Sequence, residues 1–135
     1  MLKKKNILMI AGISGAMCVA LGAMGAHALK DNITMENMQT FETAVKYQFY
    51  HTLALMLLVL LSEKISSKFL HLSSILFIIG IILFSFSLYF LALRSLIGIM
   101  PDEMKWVGAI TPFGGLSFIV AWLMLSYSAL SIKKN

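Results

Sequence analysis

Four stretches of this chain contain no Asp, Glu, Lys or Arg: Asn6–Leu29, Tyr47–Ser62, Phe69–Leu93 and Trp106–Ile132. An α-helix crosses the hydrocarbon of a bilayer with about 20 residues, roughly 17–25. The first, third and fourth stretches meet that length directly. The second is short unless Thr43–Lys46 extend it, with the Lys46 stem along the apolar region and its ammonium at the interface. The pattern predicts an all-α fold. It is read as a single membrane domain over residues 1–135, an integral four-helix bundle with spans at 7–29, 43–62, 69–93 and 106–132.

Between the first two spans, Asp31–Lys46 has a pattern of its own. Thr34 can cap a helix, while Met38, Phe41, Val45 and Phe49 fall on one stripe and Glu42 and Lys46 form an i, i+4 pair. This predicts a short amphipathic segment at the outer surface, running into the second span. The second outer loop, Arg94–Lys105, contains Pro101 and is expected to be irregular. In the fourth stretch, Thr111-Pro112-Phe113-Gly114-Gly115 interrupts an otherwise good helix. Pro112 is expected to mark a break there, by kinking the helix or by sitting in its first turn.

Ala26-His27-Ala28 fits the small-x-small pattern of signal peptidase sites, with Lys3-Lys4-Lys5 and an apolar run upstream. An apolar signal region runs to about 7–15 residues, whereas Ile7–Ala26 is twenty apolar or small residues. The run also carries two i, i+4 stripes, Gly12-Ala16-Ala20 and Ser14-Cys18-Gly22-Ala26. Small residues let helix backbones approach closely in lipid, where packing replaces the hydrophobic drive. A disposable leader gains nothing from such stripes, so the first helix is expected to be retained. Gly12, Gly15, Gly22, Gly25, Gly80, Gly114 and Gly115 are the candidate helix-packing positions.

Composition agrees with a bilayer as the solvent: 59% of residues are hydrophobic and 13% charged, with a mean hydropathy of +0.87. The net charge of +5 does not point to nucleic acid, because the lysines sit at segment ends and build no basic face. Their placement instead predicts orientation. With the N-terminus inside, the cytoplasmic segments hold seven lysines and the two outer loops hold four Lys or Arg. The expected location is the plasma membrane, with both termini cytoplasmic. The lone Cys18 allows no internal disulfide and no metal-type cysteine spacing.

Counted along the helices, His27, Gln48, His51, Ser85, Tyr89 and Thr111 share one layer in the outer half. Polar groups in hydrocarbon need partners, and ionisable ones inside spans are functional suspects. Two readings stay open: hydrogen-bonding glue between helices, or a ligand or ion site. A metal lacks a third strong ligand unless Glu42 or Asp31 folds over, so no metal and no cofactor are expected. No GxSxG, HExxH, P-loop or paired carboxylates occur, which argues against an enzyme. The expected role is structural or accessory, binding a lipid headgroup or a partner helix through the outer cluster. The alternative is an oligomeric small-solute or ion pathway using His27 and His51. Expected partners are membrane lipids, a homo-oligomer or another membrane protein.

The blocks "LGAMGAHALK" (21–30), "YQFYHTLAL" (47–55), "FSFSLY" (84–89) and "ITPFGGLSF" (110–118) resemble small bacterial multipass membrane proteins of the YgdD/YwdK type. This is the domain-of-unknown-function 423 family, which also includes transmembrane protein 256. The resemblance spans all four helices in order and implies a multipass plasma-membrane protein. It marks His27, His51, Tyr89, Thr111 and Pro112 as motif positions, and implies no activity or substrate. Met24 stands where that pattern has Phe, and Arg94–Lys105 is longer than the usual link.

Overall fold

The computed structural model describes residues 3–65, 67–100, 104 and 106–131. Pro101 to Glu103 and Lys105 of the loop expected on the outer side, and Ile132 to Asn135, lie outside the described residues. Within them the chain is helical, without strands. Four helices are long and apolar enough to cross a membrane: α1 (Lys4–Leu29), α2 (Met35–Leu61), α3 (Lys68–Ile97) and α4 (Trp106–Ser128). At 1.5 Å per residue they measure roughly 35–45 Å, more than the hydrocarbon thickness of about 30 Å.

The second helix begins at Met35, eight residues before the expected start at Thr43. Thr34 caps it, accepting from the Asn37 N–H at 3.2 Å. The amphipathic segment is therefore the first turns of α2, not a piece lying flat on the surface. Phe41 and Ala44 are buried in a small core with Leu29, Tyr89 and Ala92. Phe49, expected on the same stripe, faces outward, and Gln48 takes the inward position. The Glu42–Lys46 pair forms, at 3.8 Å on the exposed side.

Helix α1 packs on α2, α2 on α3, and α3 on α4. The face that α1 turns inward runs Ile7, Ala11, Ser14, Cys18, Gly25, Leu29. That is a spacing of three and four, close to the seam of a coiled coil. The Gly12-Ala16-Ala20 stripe lies outside it and is exposed. A Cβ at Gly12 would meet nothing within 4 Å, so Gly12 does none of the packing expected of it inside this chain. Gly15 and Gly22 make ordinary contacts, to Thr52 and Val45. Gly25 is tighter, because a Cβ there would lie 3.0 Å from the Phe41 ring.

Among the glycines, the tightest approach to another backbone joins α3 and α4. A Cβ on Gly114 would run into the backbone of Phe84, 2.8 Å from its Cα, and one on Gly80 would enter the Phe118 ring. Gly115 lies in plain contact with the Phe84 side chain. Pro112 does not break α4: the helix starts at Trp106 and runs through it. The ring removes the N–H that would bond the Gly108 carbonyl. Pro112 sits on the exposed side, where no packing is disturbed.

Two helices change pitch instead. Gly25–Leu29 at the end of α1 and Ile81–Phe86 within α3 are π-helical turns. Each widens the helix locally, and Leu29 still follows Gly25 on the seam of α1 at the ordinary spacing of four. Arg94–Ile97 tightens into a 3₁₀ turn that Gly98 ends at φ 75°, a left-handed conformation suited to glycine.

A second, larger core lies toward the lysine-rich end and includes Ile7, Leu55, Leu58, Phe77, Phe118 and Ala121. On α2, Gln48, His51 and Thr52 lie between Phe41 and Ala44 of the smaller core and Leu55 and Leu58 of the larger, while Ser73 and Ser74 lie among the residues of the larger core. At the lysine-rich end the Lys4 ammonium bridges to Glu63 at 2.7 Å, tying the start of α1 to the α2–α3 turn. Both side chains are more than half exposed, so the bridge adds little stability.

Candidate functional site

Gln48 is the centre of the polar layer and is 1% exposed. Its amide nitrogen faces the Ser14 carbonyl at 3.3 Å and the Ser14 hydroxyl at 3.2 Å. A carbonyl can only accept, so this contact fixes which end of the carboxamide is nitrogen. The Gln48 oxygen, on the other side, accepts from the Tyr89 hydroxyl at 2.8 Å. Ser14 and Thr52 share a further hydrogen bond of 2.6 Å. One continuous network thus links α1, α2 and α3. Ser14 and Thr52 were not among the predicted site residues. Thr52 was findable, four residues after Gln48 on the same helix face; Ser14 read simply as a small packing residue.

His51 belongs to a separate group. Its Nδ1 donates to the Tyr47 carbonyl at 2.7 Å, and its Nε2 lies 3.4 Å from the Trp122 indole nitrogen as acceptor. The ring stacks on Phe118, with centroids 3.4 Å apart and planes 4° apart. The neutral Nδ1–H tautomer satisfies both nitrogens at once. No lone pair is left pointing at open space, which is what a metal ligand needs. Among the described residues no three His, Cys, Asp or Glu side chains gather around a common point.

His27 does not join either group. It is exposed in the π turn that ends α1, 13 residues beyond Ser14, or roughly 20 Å along the axis. Its side chain makes no hydrogen bond, ion pair or ring contact with the described residues. Thr111 pairs with Ser87 at 2.7 Å, joining α4 to α3, and Ser87 also donates to the Phe84 carbonyl at 2.9 Å. Ser85 is fully buried in the π turn of α3, and its hydroxyl has no partner among the described residues. The six predicted positions are therefore divided: Gln48 with Tyr89, His51 with Trp122, Thr111 with Ser87, Ser85 alone, and His27 at the surface.

One opening adjoins this layer and another lies at the end of the bundle. Between α1 and α3 runs an apolar cleft of about 210 Å³, walled by residues such as Ile10, Met17, Ile78 and Phe86, with Ser14 and Gln48 among its lining. At the end of the bundle opposite the Lys4–Glu63 bridge, a groove of about 450 Å³ lies between the end of α1 and the start of α2. Gly25, Ala26, Met35 and Met38 form its apolar surface, and Lys30, Asp31 and Glu42 supply charges of both signs.

The outward faces of the helices carry Val19, Leu60, Ile119 and Leu123, each 59% exposed or more. Hydroxyls, an amide and an imidazole are meanwhile turned inward. That inversion, with four helices of spanning length, defines a multi-span α-helical membrane protein. The chain belongs to the DUF423 family of proteins of unknown function, whose model matches residues 21–115. It is 38% identical over 130 residues to a UPF0382 membrane protein of Haemophilus influenzae, covering 96% of this chain and 98% of that one. The UPF0382 inner membrane protein YgdD of Escherichia coli strain K12 is 37% identical over 129 residues, covering 96% and 92%. The UPF0382 membrane protein YwdK of Bacillus subtilis is 35% identical over 126 residues, covering 93% and 96%. No solved structure matches the chain.

Proposed function

We propose that this chain is a non-enzymatic accessory protein of the plasma membrane that holds a lipid headgroup at the end of the bundle opposite the Lys4–Glu63 bridge. The carrying observation is the groove between α1 and α2, where Lys30 and the carboxylates of Asp31 and Glu42 line one space of about 450 Å³. Charges of both signs side by side suit a zwitterionic headgroup, with its phosphate toward Lys30 and its ammonium toward the acids. Met35 and Met38 offer adaptable apolar contact to the glycerol and upper acyl region. The lysine distribution supports cytoplasmic termini, which turns this groove to the outer leaflet.

The polar layer supports the same reading. Ser14, Gln48, Thr52 and Tyr89 are engaged with one another, so they act as a clamp that keeps α1, α2 and α3 in place beneath the groove. A pathway through His27 and His51 draws no support from their positions, one exposed at a helix end and the other enclosed by Tyr47, Phe118 and Trp122.

Native mass spectrometry of the full-length protein released from its own membrane tests this, with wild type beside Lys30→Gln/Glu42→Gln. The expected result is a phospholipid adduct on wild type that is depleted on the variant. Equal adducts on both, or a bare wild type, reject the groove as the site. A protein adduct in place of lipid points to a partner helix instead.

A further inference from the structure

The lysine-rich end holds a smaller pocket of about 150 Å³, enclosed by the start of α1, the end of α2 and the start of α3. Ile7, Leu58, Val59, Ile65 and Leu70 give it an apolar floor, and its polar lining is Lys4, Ser62, Ser67, His71 and Ser74. How each polar group is already engaged determines what it has left to offer. Ser62 donates its proton to the Val59 carbonyl at 2.6 Å and Ser74 to the Leu70 carbonyl at 3.2 Å. The Ser67 oxygen accepts from the Phe69 N–H at 3.2 Å, so its own proton remains to be given. Lys4 spends one of three ammonium donors on Glu63. The half-buried His71 ring makes no hydrogen bond, ion pair or ring contact with the described residues.

The unspent donors come from three different side chains: two N–H of Lys4, a ring N–H of His71 and the O–H of Ser67. Around them, Lys3, Lys5, Lys64 and Lys68 add positive charge, and Glu63 is the one carboxylate in the same segments. Free donors in a surplus of positive charge favour a ligand that is an acceptor with negative charge. The apolar floor further asks that it carry hydrocarbon.

We infer that this pocket binds the phosphate of an anionic membrane lipid, with Lys4, His71 and Ser67 donating to the phosphate oxygens and Ile7, Leu58 and Leu70 meeting the chain below. It is a second lipid site, at the opposite end of the bundle from the groove and sharing no residue with it, so either stands or falls alone.

Dioleoylphosphatidylglycerol is titrated into the delipidated full-length protein in neutral detergent, and the bound fraction is read by native mass spectrometry. Lys4→Gln and His71→Gln are each expected to reduce binding, and together by about tenfold. Lys5→Gln removes the same charge one residue away, outside the pocket lining, and is expected to bind like wild type. Equal losses for Lys5→Gln and Lys4→Gln, or no loss for His71→Gln, overturn the proposal in favour of diffuse attraction. Neither pocket variant threatens the fold, since the Lys4 bridge is exposed and His71 has no side-chain bond to lose. A second arm follows the His71 ring nitrogens by NMR with inorganic phosphate at equal concentration. The lipid is expected to move them and phosphate alone is not; an equal response to phosphate overturns the assignment to a lipid.

Discussion

The Tyr89 hydroxyl donates to the Gln48 side-chain oxygen across 2.8 Å, at a point where Gln48 has already turned its nitrogen to Ser14. A single carboxamide on α2 thereby connects the helix before it in sequence with the helix after it. In hydrocarbon no water competes for these groups, and leaving any of them unpaired costs more than pairing them gains. The layer is a device for fixing which helix faces meet in a chain whose faces are otherwise almost uniformly apolar.

Neighbouring serines of α3 provide a contrast. The Ser85 hydroxyl is buried without a partner, whereas Ser87 bonds to Thr111 and to the Phe84 carbonyl. Ser85→Ala is expected to leave stability unchanged or raise it. Ser87→Ala is expected to lower it by about 0.5–1 kcal/mol. Thermal unfolding of the two variants in the same detergent measures the difference; equal effects contradict the assignment.

Two glycines on different helices offer a second contrast. At Gly114 an added methyl collides with the backbone of Phe84, which cannot move aside as a side-chain tip can. Gly114→Ala is expected to cost about 1–3 kcal/mol, the range for overpacking. Gly12→Ala adds its methyl to open space and is expected to keep the stability of the monomer or raise it by up to about 1 kcal/mol. Unfolding in detergent, followed by loss of helical circular dichroism, reads both.

The two histidines of the opening helices should behave as unlike residues. His51→Ala removes the ring stacked on Phe118 and the acceptor facing Trp122, and is expected to destabilise by about 2 kcal/mol. It should also shift Trp122 fluorescence, recorded in a Trp106→Phe background. His27→Ala is expected to change neither quantity.

The sequence made the four spans legible because charge is so expensive in hydrocarbon that its absence over twenty residues marks a helix. It also pointed to Gln48, His51 and Tyr89, since such side chains in a span need a reason to be there. The partners were harder to see. Ser14 is small enough to read as packing, and Trp122 as one more large apolar ring, so neither announces a hydrogen bond. The choice between the Gly12 stripe and the Ser14 stripe was not legible either. Both sides of α1 are apolar, and the pattern that separates inside from outside in water is nearly absent in lipid. Start and end points failed for local reasons. Thr34 and the burial of Phe41 start α2 ahead of Thr43, and Pro112 is accommodated on an exposed face. The π turns at Gly25–Leu29 and Ile81–Phe86 have no residue signature of their own. His27 follows the buried Gly25 by two residues, about 200° round the helix, so it falls on the exposed side and apart from the Gln48 group.

The central claim is that the polar layer is a closed structural clamp, and a double-mutant cycle on Gln48 and Tyr89 tests it most directly. Unfolding free energies are measured in bicelles for wild type, Gln48→Leu, Tyr89→Phe and the pair. The account predicts a coupling of about 0.6–1.7 kcal/mol between the two sites, with each single change destabilising. Additive effects with no coupling would contradict it, because the two side chains would then not depend on each other at all.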